Sequence, residues 1–233
     1  MIFNPRTFKQ VGFLGPPGVG KGTYAQRCAP RLGFAHISPG DVLRKTAAHD
    51  AEIQSLLDQG QLVSELKIFE IMSREITQVR NDKSRYGVIL DGFPRNEQQA
   101  RGWTDLSSNN IPDLVVKFSL PEDMLVNKLL GRRVCANCGD LYNIFSFQDE
   151  HYWMPAMLPR VEGKCDQCGH GLIQRSDDTS ETIRKRLEFH NAVEADVLKH
   201  MNEKTTVANF EVKTGIAQID ELVHLIRHSL DIS

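Results

Sequence analysis

Residues 11–23 read VGFLGPPGVGKGT: a short apolar run that closes on glycines, then a lysine, a glycine and a threonine. The segment that continues from it, KGTYAQRCAPRL (21–32), has helical character, so the order is strand, Gly-rich turn, helix. In such a turn Gly15, Gly18 and Gly20 let successive backbone N–H groups curl around an anion, and the helix that follows points its positive end at the same place. Lys21 adds a mobile cation for the outer phosphates. The general phosphate-loop motif has Ser or Thr directly after its lysine; here Gly22 stands there and Thr23 comes one place later. Glycine-rich turns between strand and helix are common, but that alone does not explain a lysine and a threonine where the helix begins.

The same order repeats outward from this stretch. FAHIS (34–38) and GDVLRKTAAH (40–49) read as a second strand and helix. SELKIFEIMSREITQV (64–79) places Leu66, Phe69, Ile71, Met72, Ile76 and Val79 at helical spacing behind Ser64, a good N-cap residue. YGVILDG (86–92) and DLVVKFSL (113–120) are near-continuous apolar strands, the kind buried on both faces. Apolar strands alternating with helices predict an α/β fold, a doubly wound parallel sheet with helices on both sides. From Arg132 to Arg175 the pattern breaks into cysteines, glycines, prolines and mixed aromatics, which predicts a small inserted unit over 132–176 between core segments 1–131 and 177–233. A long helix over 179–201, a strand in TTVANFEV (205–212) and a helix in IAQIDELVHLIRHSL (216–230) complete the core.

A chain of 233 residues suits one core and a small attachment rather than two full domains. Its net charge of −2 provides no field to hold a polyanion, which argues against nucleic acid as a partner while leaving small anions open. No apolar run approaches the roughly 20 residues that span a bilayer, and the opening MIFNPRTFKQVGF lacks the apolar core of a signal peptide. A soluble, cytoplasmic monomer is expected. Arg6 and Lys9, with no acid before Asp41, leave a mitochondrial destination as the alternative.

Cys135-Ala-Asn-Cys138 and Cys165-Asp-Gln-Cys168, each followed by glycine, form two tight knuckles whose sulfurs can converge on one tetrahedral zinc. Four thiolates fill every position, so this zinc would be structural. Cys28 stands apart from them. Asp91 closes an apolar strand, and in a parallel sheet that end lies beside the phosphate loop, where a carboxylate can hold Mg²⁺ through its water shell.

The string GPPGVGKGT resembles the phosphate loop of adenylate kinases, which carry GKGT; Gly22 departs from the general motif and agrees with that family's version. The resemblance continues in order through HISPGDVLR (36–44), QGQLVSELKI (59–68), DGFPRNEQQA (91–100), GRRVCANCG (131–139) and QRSDDTSETIRKRL (174–187). It implies a P-loop kinase with a monophosphate-binding helical part over 38–80 and a zinc-stapled lid of the long type. By the resemblance, Lys21, Arg44, Arg95, Arg132, Arg175 and Arg186 contact phosphate, Asp91 serves Mg²⁺, and Gly15, Gly18, Gly20, Gly22, Thr23 and Lys128 belong to the ATP side. Val63, Ile68, Gly92 and Gln99 would join Arg44, Arg95, Arg175 and Arg186 around AMP. The implied activity is reversible transfer from MgATP to AMP, giving two ADP. No general base is required, because a monophosphate is already largely dianionic at neutral pH, its second pKa being about 6.

Several positions depart from the family's pattern. Pro39 stands where many members have a hydroxyl residue near the acceptor base, Lys128 where many have an arginine against adenine, and EVKTGIA (211–217) lacks a proline found in common members. The last two loosen the grip on the donor base and keep a GTP:AMP phosphotransferase as the alternative, while Pro39 removes a hydroxyl from the acceptor side. A non-catalytic nucleotide-sensing or RNA-binding module is the alternative of another class. Tyr152, Trp153, Met154 and Met157, in the stretch between the knuckles, are expected to pack inside the lid.

Overall fold

The computed structural model describes residues 8–58, 63–105 and 111–232. Arg6, positions 59–62 of the segment quoted above and the side chain of Leu66 lie outside the described residues. The chain runs β1 (Lys9–Leu14), α1 (Lys21–Leu32), β2 (Phe34–Ile37), α2 (Pro39–Ala47), α3 (Ala51–Asp58), α4 (Glu65–Asn81), β3 (Gly87–Asp91), α5 (Glu97–Asp105), β4 (Leu114–Ser119) and α6 (Glu122–Leu130). The inserted strands follow: β5 (Arg132–Cys135), β6 (Leu141–Asn143), β7 (Phe147–Gln148), β8 (Trp153–Met154) and β9 (Leu172–Ile173). After them come α7 (Ser180–Lys204), β10 (Thr206–Glu211), a 3-10 turn (Gly215–Gln218) and α8 (Ile219–Ser229).

The core sheet is parallel, in the order β10-β4-β1-β3-β2. Its apolar strands divide their residues between two faces, as period-2 alternation requires. Val11, Phe13, Ile89, Leu114 and Val116 pack toward α1, α6 and α8, whereas Val88, Leu90 and Val115 pack toward α4 and α5 with Trp103 and Ile76. The chain leaves β1 toward β3 and β2 on one side and later returns to β4 and β10 on the other. The carboxyl end of β1 is therefore the crevice where such sheets bind ligands. Asp91 is paired in register with Phe13, so it stands beside the phosphate loop as expected.

Caps define the two helices that matter most to that crevice. The Ser64 hydroxyl accepts the Lys67 N–H at the start of α4, and the Thr179 hydroxyl accepts the Thr182 N–H at the start of α7. α7 runs three residues beyond its expected end and touches both core clusters, Ile183 and Leu187 on one and Val197 and Met201 on the other.

The inserted unit has two parts of different construction. β6-β5-β9 form a small antiparallel sheet carrying the knuckles, and β7 and β8 form a separate hairpin. Here the structure corrects the sequence-based expectation. Met154 is buried in the core cluster of α1 and α8, with Phe145, Phe147 and Tyr152 packed against the same cluster, and Trp153 is half exposed. The knuckle part buries little besides Cys135, Tyr142 and Cys165, so it has no apolar interior to receive Met154, whereas the core does. Among the described residues no helix is long and apolar enough to cross a membrane.

Candidate active site

The phosphate loop takes its shape from close approach. Gly15 has φ 134°, and a Cβ there would overlap the Phe118 carbonyl at the end of β4. The Lys21 ammonium folds back on the loop, donating to the carbonyls of Gly15 (2.7 Å) and Pro16 (2.9 Å). Gly22 now has a physical reason. A Cβ at that position would stand 3.0 Å from Asp91 Oδ2, a tight contact that the glycine relieves as β3 brings its carboxylate this near. Thr23, one place later, lines the same cavity.

That cavity, of about 1430 Å³, collects side chains from elements far apart in sequence. Lys21 comes from α1, Arg44 from α2, Arg95 from the loop after β3, Arg132 from β5, Arg175 from the segment after β9, and Arg186 from α7; all of them line it. Desolvation pulls the Lys21 ammonium down from its ordinary 10.5 to about 8; Asp91 opposes the shift and Arg95, Arg186 and Arg132 add to it. Burial likewise lowers Arg175, with Arg132 and Arg44 contributing like charge. A group of cations that depress one another is built to receive an anion.

Carboxylates hold these cations in place meanwhile. Arg132 grips the fully buried Asp178 with both arms of its guanidinium, Nε donating to Oδ2 at 2.8 Å. Arg186 donates to Asp177 Oδ2 at 3.0 Å, and Arg44 pairs with Asp41. Asp177 and Asp178 lie inside the quoted QRSDDT, but nothing in their spacing reveals which arginine each will meet.

On the other side, Gln99 is 4% exposed and tightly held. Its Oε1 accepts the Arg95 N–H (2.8 Å) and its Nε2 donates to Glu65 (2.7 Å), while Asn96 donates to the second Glu65 oxygen (3.0 Å). Glu65 and Asn96, which sequence reasoning passed over, thus set the Gln99 amide, which keeps one N–H and one lone pair for a ligand. Val63 and Ile68 line the cavity and also pack into the core cluster of α4. Gly92 sits against the Lys21 stem. His36 was also missed: its buried Nε2 lies 3.5 Å from Asp91 Oδ2 and makes no hydrogen bond.

Lys128 reaches the rim of the phosphate loop, its ammonium 3.4 Å from the Val19 carbonyl, and burial lowers it to about 8. Beyond it the cavity wall is made by Phe145, Met154 and Met157 of the insert and by Gly215 and Ile216 after β10.

The four knuckle sulfurs lie within 4.8 Å of one another, with contacts of 3.4 Å (Cys135 to Cys168) and 3.5 Å (Cys138 to Cys165 and to Cys168). Zinc–sulfur bonds of about 2.3 Å set tetrahedral S···S edges near 3.8 Å, which this arrangement brackets. The Tyr142 hydroxyl donates to Cys165 Sγ at 3.6 Å and the His170 backbone N–H draws Cys168 down to about 7, while Cys138, hydrogen-bonded to its neighbouring sulfurs, is pushed up, as expected where closely spaced thiols share protons. The donor set fits zinc.

Comparison with known proteins agrees with this geometry. Residues 13–206 match the family model described as adenylate kinase. The chain is 39% identical over 220 residues to an adenylate kinase of Thermodesulfovibrio yellowstonii, covering 92% of this chain and 95% of that protein. It is 34% identical over 224 residues to the GTP:AMP phosphotransferase of Plasmodium falciparum, covering 93% and 95%, and 35% identical over 229 residues to a probable chloroplastic adenylate kinase of Arabidopsis thaliana, covering 93% and 73%. Matched nearly from end to end around a cleft that gathers cations at a phosphate loop, the chain belongs to the adenylate kinase family of phosphotransferases.

Proposed function

We propose that this nucleoside monophosphate kinase uses MgATP as donor and AMP as acceptor, giving two ADP reversibly. The observation that carries the reading is the convergence of Lys21, Arg44, Arg95, Arg132, Arg175 and Arg186 on one cavity beside Asp91. Phosphoryl transfer spreads negative charge over the moving group, so placed cations rather than a base account for most of the catalysis. The phosphate loop and Lys21 hold the donor's outer phosphates. Arg132 and Arg186 close on the transferred group by exchanging carboxylate partners for phosphate oxygens, Arg175 joins them there, and Arg44 and Arg95 hold the acceptor phosphate. Gln99, set by Glu65, offers its remaining amide functions to the acceptor base. Asp91, next to Gly22, is the carboxylate that would hold the nucleotide's Mg²⁺ through water, where the ion would supply charge neutralisation for the phosphates.

Residues 132–176 act as a lid of the long, zinc-binding type, with Cys135, Cys138, Cys165 and Cys168 holding a structural zinc, and 38–80 act as the acceptor-binding part. Action as a monomer is part of the same proposal. Cytoplasmic residence is the companion proposal.

The experiment is ADP production from AMP with a panel of donors, with zinc and subunit mass measured on the same preparation. ATP turnover with GTP less effective is expected. A strong preference for GTP replaces the donor with the GTP:AMP reading, and no ADP from any donor overturns the kinase assignment in favour of a non-catalytic module.

A further inference from the structure

α8 buries Leu222, Val223 and Ile226 in the cluster it shares with α1, which leaves His224 and His228 exposed on its outer face. The two are four residues apart, about one helical turn, so their side chains rise from the same stripe. Their rings lie side by side, with centroids 6.3 Å apart and planes within 11° of parallel.

Other histidines of the chain are engaged elsewhere. His36 faces Asp91 at 3.5 Å, His170 Nδ1 lies 3.2 Å from the Cys168 carbonyl, His190 pairs with Glu194 at 3.3 Å, and His200 meets the Thr104 hydroxyl at 2.9 Å. His224 and His228 meet each other, and among the described residues neither ring is hydrogen-bonded to another side chain or carbonyl. Each neutral imidazole therefore keeps a free lone pair. The charges nearby do not oppose a cation. Arg227 donates to the Arg31 carbonyl of α1 (3.3 Å) and so turns off the stripe, while Asp220, one turn before His224 and paired with Arg31, adds an exposed carboxylate to it.

Metal–nitrogen bonds of about 2.1 Å bridge two nitrogens up to about 4 Å apart. Two exposed rings with no other partner need only small side-chain rotations to turn one nitrogen each into that span, and histidines at i and i+4 on a helix chelate metal for this reason. We propose that His224 and His228 form a metal site separate from the knuckles, on the surface of α8, for a divalent transition ion that accepts imidazole: Zn²⁺, Ni²⁺ or Cu²⁺, with water in the remaining positions. Two protein ligands hold this ion where the knuckles offer four, so it exchanges with solvent. Bound there, it ties successive turns of α8 and stiffens the helix that packs on α1. Neither histidine lines the cleft.

The probe is Ni²⁺, titrated by calorimetry into the full chain prepared without chelator and into His224→Gln and His228→Gln. Two ligands on one rigid helix bind more tightly than one through effective concentration, so each variant should bind Ni²⁺ about 10²-fold more weakly. Excess Ni²⁺ should raise the Tm of the unsubstituted protein and of neither variant, because the ion binds the folded helix. Without Ni²⁺ all three should share one Tm, both positions being exposed. Equal Ni²⁺ affinity in the three proteins would overturn the proposal, as would no binding to the unsubstituted one. Thiolate-to-nickel absorption that accounts for all the bound ion would assign it to the knuckle sulfurs and overturn it equally.

Discussion

The cleft and the knuckles are both clusters of polar side chains assembled with little apolar support, and they are opposite in kind. In the cleft, cations from distant elements crowd one cavity and depress one another; in the knuckles, four sulfurs converge on one point. The first arrangement suits a ligand that comes and goes, the second an ion that would stay. The cleft can afford this because the rigid sheet beneath it carries the fold, so its internal repulsion costs stability that the core already supplies. The knuckle part buries almost nothing, and without a bound metal it would have no comparable reserve. Substitutions in one should therefore remove activity and spare the fold, and substitutions in the other should do the reverse.

The largest effect is expected at Lys21. Lys21→Met should lower kcat by about 10²- to 10³-fold, the loss typical of removing one placed electrostatic group. Its Tm should stay within about 3 °C or rise, since a desolvated ammonium among guanidinium groups is lost. Steady-state kinetics beside a melting curve checks both, and near-normal turnover in the folded variant would break the assignment of the cleft.

Cys135→Ser is the mirror case. It should reduce bound zinc from about one per chain and lower Tm by about 5–10 °C, at roughly 2–4 °C per kcal/mol for a chain of this size, while activity persists at low temperature. Elemental analysis finding no metal in protein prepared without chelator would remove the knuckles from the comparison.

Met154→Ala tests the part of the insert that borrows the core. It should cost about 2 kcal/mol in denaturant unfolding, the lower end for a buried methionine, with zinc content unchanged. A loss of zinc would show that hairpin and knuckles behave as one unit rather than two.

The smallest effect is in pH dependence. Lys21 and Lys128 both lie near 8 in the folded protein, below their ordinary 10.5, so the free cleft loses charge above about pH 8. Donor kcat/KM should fall there by up to about a decade per pH unit for each lysine that matters, whereas kcat holds to higher pH because bound polyphosphate restores the ammonium forms. Between about 8 and 10.5 the unfolded chain binds more protons than the folded one, so unfolding free energy should rise with pH across that window until other groups titrate. A flat kcat/KM profile to pH 9.5 would mean that neither lysine meets the donor.

What the sequence determined by itself was local. The strand–turn–helix at 11–32, the Ser64 cap, the apolar strands 87–91 and 114–119 and the paired knuckles each follow from spacings of a few residues, because hydrogen-bonding period, capping and turn geometry are short-range. The identity of the cleft's arginines was legible only through their match to a family pattern. Tertiary structure alone decided which groups meet across long separations: Asp178 with Arg132, Glu65 with Gln99, Asp91 beside Gly22, and Tyr152 on Glu211. It also decided that Met154 belongs to the core rather than to the lid that contains it. An apolar side chain goes to whatever surface buries it best, and that surface exists only after the sheet order has brought α1, α8 and the end of β10 together.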